Sequence, residues 1–270
     1  MKRIAIVGAG NLGSAIIRGL IQSGKAKPEA IFVVDVEPSR VRYLESEFGI
    51  AAAPRLVDAV GPDTEIVVLA VKPQVMAEVL DSMSILVHDN LLVISVAAGV
   101  GTRFILSRLS PAARVIRAMP NAAAMVGRSA TAVCKAGAAD EEDLAKAVDL
   151  FSAIGHAVVV EEKMMNAVTA LSGSGHAYVF VMMEALTDAG VRMGLDRATA
   201  RGLTLQTVAG AAAMAADGSP PFSELKDRVT SPGGTTIAGL HVMEKAGLRG
   251  ILMDAVRAAT LRADELAPKD

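Results

Sequence analysis

"RIAIVGAGNLGSAII", residues 3–17, decides how this chain begins to fold. A β-branched run of Ile4, Ile6 and Val7 stops at Gly8, and an apolar stretch around Leu12, Ala15 and Ile16 follows at helical spacing. Between the two, Gly8, Gly10 and Gly13 spell G-x-G-x-x-G. Gly8 suits a tight turn, Gly10 leaves room for a pyrophosphate to approach the backbone, and Gly13 lets the helix lie close on the strand. The helix start then turns free N–H groups toward the anion. A structural glycine turn is the alternative; the placement between strand and helix favours dinucleotide binding.

The pattern continues outward from that motif. "AIFVVD" (30–35), "TEIVVLAV" (64–71), "LLVISVA" (91–97), "ARVIRAM" (113–119), "SATAVC" (129–134) and "HAVVV" (156–160) are further strand candidates. The early ones are separated by stretches long enough for crossover helices, which predicts a doubly wound parallel sheet covered on both faces. Residues 1–160 therefore read as a Rossmann-type α/β domain. After Val160 no comparable β-branched run returns. The remainder, 161–270, reads as an all-α domain broken at "SGSG" (172–175), "GLD" (194–196), "DGSPP" (217–221) and "SPGG" (231–234). Within it "AYVFVMMEALTDAGV" (177–191) is apolar on nearly every face, and a domain this small offers few neighbours to cover such a helix. An intertwined homodimer would supply them. The Ala-rich "VAGAAAMAA" (208–216) permits the close approach needed, and "APKD" (267–270) reads as a frayed tail.

Composition narrows the class. With 52% hydrophobic and 21% charged residues the chain is a folded globular protein. Twenty-seven basic against 29 acidic residues leave a net charge of −2 and no basic cluster, which argues against nucleic acid as a partner. Cys134, the single cysteine, cannot form an internal disulfide and reads as a small buried hydrophobe rather than a catalytic thiol. The N-terminus passes directly into a strand with no signal region, and the longest apolar run is too short to span a bilayer, so no membrane association and a cytoplasmic location are expected. His88, His156 and His241 lack paired ligand spacing, so no metal site is expected.

Doubly wound sheets bind ligands at the carboxyl ends of their strands. Gly8, Ala9, Gly10, Asn11, Leu12 and Gly13 form the first such loop. Asp35 ends the second strand, where an acidic side chain pairs with the adenine ribose and favours NADH; Arg40 could instead meet the 2′-phosphate of NADPH, or be a solvated helix charge. Ala70, Val71, Lys72 and Pro73 follow the next strand, with Lys72 either touching cofactor or simply exposed. Ala97, Ala98 and Gly99 follow the one after. Met119, Pro120 and Asn121 end the row, Asn121 either reaching the nicotinamide amide or capping a turn.

A second concentration of turn and hydroxyl chemistry, "SPGGTT" (231–236), precedes the helical "IAGLHVME" (237–244). It is a helix N-terminus suited to a carboxylate. Capping with a glycine turn explains one hydroxyl and the glycines, but not a serine and two threonines together.

"LKDRVTSPGGTTIAGLHVME" (225–244), with "GAGNLG", "LAVKPQ", "RAMPN" and "EEKMMNAVTALSGSGHAYVF" (161–180), resembles the Δ1-pyrroline-5-carboxylate reductase family along essentially the whole chain. The resemblance implies NADPH- or NADH-dependent reduction of a cyclic imine to L-proline, the last step of proline biosynthesis. It also implies a helical dimerisation domain forming an intertwined dimer, in some members a decamer. It assigns Thr236 to the ring nitrogen as the catalytic contact, and Ser231, Gly233, Gly234 and Thr235 to the substrate carboxylate. "SGSG" would border the nicotinamide, and the sheet end and the turn would close one cleft across the dimer. His176 departs from the family, which has proline there; it is either a proton donor or a tolerated substitution in a helix first turn. "DGSPPFSE" (217–224) is also unusually proline-rich. A six-membered cyclic imine is a second candidate substrate, because a carboxylate turn does not measure ring size. A cofactor-binding scaffold without turnover is a third reading.

Overall fold

A computed structural model describes residues 3–216 and 220–266. The chain alternates from the start: β1 (Ile4–Val7), α1 (Asn11–Gln22), β2 (Ile31–Val34), α2 (Pro38–Phe48), β3 (Ala51–Ala52), α3 (Leu56–Ala59), β4 (Ile66–Leu69), α4 (Met76–Met83), β5 (Leu92–Ser95), α5 (Thr102–Arg108) and β6 (Arg114–Met119). It continues through β7 (Ser129–Gly137), α6 (Glu141–Ser152) and β8 (Gly155–Val159). Helices then take over: α7 (Met165–Val168), a π-helical turn (Thr169–Gly173), α8 (Gly175–Arg192), α9 (Arg197–Ala216), α10 (Phe222–Arg228), α11 (Thr235–Lys245) and α12 (Leu248–Leu266).

Among the described residues the strands form one sheet in the order β3-β2-β1-β4-β5-β6-β7-β8. Every pair is parallel except β6 with β7, where Arg114 faces Gly137 and Met119 faces Ala132. The β6–β7 link runs only from Pro120 to Arg128, too short for a parallel crossover, so the chain must return antiparallel. β1, β4 and β5 are buried on both faces, which is why their sequences are continuous apolar runs rather than alternating ones. Side-chain alternation along β1 divides the core. Ile4 and Ile6 pack with Ile16, Leu20, Leu44 and Phe151 on one face. Ala5 and Val7 pack with Met76, Leu80 and Ile105 on the other. The chain leaves β1 toward β2 and later crosses to β4, so a crevice opens at the carboxyl ends between these oppositely directed connections.

Two features escape the sequence pattern. β3 is two alanines, with no β-branched residue to announce it, yet Phe32 and Val33 pair with Ala51 and Ala52. The apolar pattern after residue 235 is broken at Gly247, whose φ of +73° ends the run between α11 and α12. Residues 217–219 of "DGSPPFSE" and the tail 267–270 lie outside the described residues.

The chain divides into two compact units, residues 1–173 with 259–270, and 174–258. The first contains the sheet and its core. In the second, Gly190 of α8 lies against Ala200 of α9, where an added Cβ would meet Ala200 Cβ at 3.0 Å, and Asp188 pairs with Arg197 at 2.8 Å. Its buried residues among those described are only Thr187, Ala200 and Thr204. Phe180 and Val181 are each 64% exposed and Leu186 is 51% exposed, so α8 presents its apolar faces outward in a single chain. A unit with so little core of its own needs a partner to cover that surface.

Candidate active site

The glycine loop fits the three roles its spacing predicts. Gly8 adopts φ +109°, and a Cβ there would lie 2.5 Å from the Ala70 carbonyl oxygen, so β1 and β4 close too tightly for any side chain. At Gly13 a Cβ would stand 1.9 Å from the Gly8 carbonyl oxygen, the close helix-on-strand approach. At Gly10 nothing lies within 4 Å, and the space is open. Gly10 also precedes α1 with no side chain capping the helix, so the first-turn N–H groups face that space unclaimed. A helix N-terminus with an uncrowded backbone approach is what a pyrophosphate requires.

A groove of about 770 Å³ extends from this loop, and Ala9, Asn11, Leu12, Ala70, Val71 and Pro73 line it. Lys72 and Ala98 border it with exposed side chains, and the buried Ala97 lines it from beneath. Toward β2 its walls are Arg18, Ser39, Arg40 and Tyr43. The structure places the Asp35 carboxylate against the backbone: Oδ2 accepts from Ala9 N–H at 2.6 Å, and Oδ1 accepts from Glu37 N–H at 2.8 Å. Asp35 thus braces the glycine loop from behind, an engagement the sequence did not announce. Arg40 has no ion-pair partner among the described residues.

At its other end the groove passes into a cavity of about 350 Å³ that shares Asn11, Leu12, Ala98 and Met125 and adds Met119, Pro120, Asn121, Thr169 and Gly173. Asn121 is held there by its neighbours. Its Oδ1 accepts from Ala123 and Ala130 N–H at 3.3 and 3.4 Å, and its Nδ2 donates to the Ser172 carbonyl at 3.1 Å. It caps the short 3-10 turn Ala122–Val126 and ties that turn to the π-helical turn. Gly99, at φ +77°, belongs to the β5–α5 loop behind Ala98. Neither Met125 nor Thr169 carries a sequence signal; only the folding of the β6–β7 link and the π turn over the sheet end brings them in.

Cys134 is buried on β7, and burial first, then the nearby Glu162 charge, push its thiol up to about 11. The thiolate is the reactive form, so Cys134 is inert at neutral pH. Iodoacetamide should label the native protein at pH 7.5 at a negligible rate and the unfolded chain readily; fast labelling of native protein by mass spectrometry would contradict this burial.

In the second unit, α11 begins at Thr235 behind Gly234, again with no side chain capping it. Gly233 takes φ +67°, and a Cβ on Gly234 would collide with Ser231 Oγ at 2.3 Å. The turn closes with Gly234 N–H donating to the Ser231 carbonyl at 3.1 Å. The hydroxyls of Ser231, Thr235 and Thr236 make no hydrogen bond among the described residues, so capping does not account for them. Three free hydroxyls and orphan first-turn N–H groups are donors of the kind a small carboxylate accepts from. His176 sits in the first turn of α8 with Nδ1 buried and unpartnered, its ring 6.5 Å from that of Phe180. Among the described residues no group of His, Cys, Asp or Glu could hold a metal, and no helix is long and apolar enough to cross a membrane.

A doubly wound sheet with this groove at its switch point, joined to a helical unit carrying an anion-receptive turn, defines a dinucleotide-dependent oxidoreductase. Comparison with known proteins narrows the class. A family model described as pyrroline-5-carboxylate reductase dimerisation matches residues 162–266, and one described as NADP oxidoreductase, coenzyme F420-dependent, matches residues 3–99. The pyrroline-5-carboxylate reductase of Methanosarcina acetivorans is 42% identical over 99% of both chains. The solved pyrroline-5-carboxylate reductase of Coxiella burnetii superposes with a TM-score of 0.96 at 35% identity, over 99% of both chains. That of Plasmodium falciparum, solved with NADP bound, superposes at 0.84 with 28% identity over 98% of both. The chain belongs to the pyrroline-5-carboxylate reductase family, and its helical region is a dimerisation domain.

Proposed function

We propose that this chain reduces 1-pyrroline-5-carboxylate to L-proline in the cytoplasm as the last step of proline biosynthesis, with the glycine groove holding the cofactor and the 231–236 turn holding the substrate. The observation that carries the reading is the pair of uncapped helix starts, at Gly10 and Gly234, each built on glycines that leave N–H groups bare. One suits a pyrophosphate and the other a carboxylate. When bound, the reduced nicotinamide supplies the hydride that C5 of the ring accepts. Ser231, Gly233, Gly234 and Thr235 hold the carboxylate through hydroxyls and backbone N–H groups. The ring reacts as its protonated iminium, whose N–H donates to the Thr236 hydroxyl; nitrogen takes the C=N electron pair as the hydride arrives and keeps that proton as the amine N–H of proline. No metal or strong base is needed, because an iminium carbon is already electrophilic, and the rate comes chiefly from positioning. The division of labour follows the chain, with 1–160 binding dinucleotide and 161–270 binding substrate and a second copy. An intertwined homodimer, with further assembly to a decamer, supplies the surface that covers α8.

NADPH is the preferred cofactor in this proposal. The Asp35 oxygens already accept from Ala9 and Glu37 N–H groups, while Arg40 lines the adenosine end with no ion-pair partner among the described residues. A guanidinium on a phosphate forms a charge-assisted pair that NADH cannot offer. Incubation with pyrroline-5-carboxylate and each cofactor in turn tests function and preference together. The nicotinamide absorbance should fall with both, at higher kcat/KM for NADPH. Arg40→Ala should cut NADPH kcat/KM by roughly tenfold and leave NADH within about twofold, the loss of one charge-assisted hydrogen bond. No absorbance loss with either cofactor refutes the reductase reading. An NADH-preferring wild type, or equal losses in Arg40→Ala, refutes the Arg40 assignment.

A further inference from the structure

We infer that Glu162, together with the buried Arg117 it neutralises, is a positioning residue that sets the nicotinamide end of the groove for hydride transfer; the inference rests on the reductase reading. Arg117 lies on β6 between Ser95 of β5 and Cys134 of β7, its side chain only 7% exposed. Its one ion-pair partner among the described residues is Glu162, at 3.4 Å. Neutralising a buried guanidinium would explain a carboxylate at that place. It does not explain where the rest of that carboxylate goes. Oε1 also accepts from the Thr102 backbone N–H at 2.7 Å, and Oε2 accepts from Thr102 Oγ1 at 2.5 Å.

Thr102 is the first residue of α5, and directly before it runs the Ala97–Gly101 loop, whose Ala97 and Ala98 form the groove wall. That loop cannot fix its own exit. Gly99 adopts φ +77°, and Gly101 precedes α5 without a capping side chain. Val100 anchors its middle in the core, and the Glu162 carboxylate pins its end. Two further walls meet at the same carboxylate. Arg117 is two residues before Met119, and Glu162 opens the short turn leading through α7 to the π turn, where Thr169 and Gly173 line the cavity. One charged group therefore ties the loop after β5, the exit of β6 and the entry to the π turn. Hydride transfer depends on sub-ångström placement of the nicotinamide, whereas the pyrophosphate and adenosine contacts belong to the glycine loop and the Ser39–Arg40 wall.

The test compares Glu162→Gln, Thr102→Val and Thr102→Ser with wild type, by steady-state kinetics on pyrroline-5-carboxylate and by NADPH affinity from quenching of its fluorescence. Glu162→Gln should lower kcat by roughly ten- to a hundredfold with the NADPH Kd within about threefold, the signature of lost placement rather than lost binding. Its deuterium isotope effect with C4-deuterated NADPH should rise, as hydride transfer becomes rate-limiting. Thr102→Val, which keeps the backbone contact and the fold, should show the same split at about fivefold, and Thr102→Ser should restore wild-type rates. Folded Glu162→Gln with unchanged kcat overturns the inference, as does an equal loss of NADPH affinity. Should Glu162→Gln not fold, Thr102→Val decides, and an unchanged kcat there is equally contrary. An inactive wild type would instead refute the reductase reading itself.

Discussion

Gly10→Ala is expected to weaken cofactor binding by roughly a hundredfold without disturbing the fold, and Gly13→Ala to damage both. Gly10 adopts φ −72° with extended ψ, a backbone open to alanine, and its added methyl meets nothing within 4 Å. That methyl occupies the volume through which a pyrophosphate must approach α1. Losing the close approach removes about 3 kcal/mol of binding, roughly a hundredfold in Kd. The melting temperature should stay within about a degree of wild type, because no native contact is touched. At Gly13 the methyl would stand 1.9 Å from the Gly8 carbonyl, so α1 must move off β1. Overpacking of this kind costs about 3 kcal/mol, several degrees in melting temperature. Calorimetry with NADPH titration separates the two variants. Normal NADPH affinity in Gly10→Ala would contradict the placement of the pyrophosphate.

The second large effect is at the substrate turn. Thr236→Ala should lower kcat by about a hundredfold, the scale for removing one preorganised hydrogen-bonding group from a reacting centre. NADPH affinity should stay within about twofold. Stability should not change, since the Thr236 hydroxyl makes no hydrogen bond within the described structure and its removal orphans nothing. Thr236→Ser, which keeps the hydroxyl, should recover most of the rate. If Thr236→Ala turns over at the wild-type rate, the hydroxyl is not at the ring nitrogen, and Thr235 becomes the next residue to replace.

The sequence showed the architecture wherever a period or a glycine carried it. β1, β4 and β5 announced themselves because strands buried on both faces must be apolar throughout. The glycine roles were legible because G-x-G-x-x-G encodes steric clearances, and the clearances at Gly8, Gly10 and Gly13 follow that order. What stayed hidden was tertiary. Two alanines become β3 only because β2 offers an edge to pair with. The Asp35 carboxylate turns back onto Ala9 N–H, a choice set by loop geometry rather than residue type. Asn121 and Glu162 are both engaged with backbone far away in sequence, at Ser172 and Thr102, and no periodicity foretells such partners. The exposure of α8 is the opposite case. Its apolar composition predicts a buried helix, and in the single chain it lies exposed within a region that matches a dimerisation domain.

The central claim is that this chain moves a hydride from the cofactor to C5 of a cyclic imine. Pyrroline-5-carboxylate incubated with the enzyme and NADPH deuterated at C4 on the transferring face tests it most directly, with the proline product read by mass spectrometry and NMR. The account predicts L-proline carrying one deuterium, at C5, in an amount equal to the NADPH consumed. Consumption of cofactor without deuterium at C5, or no proline at all, would contradict it.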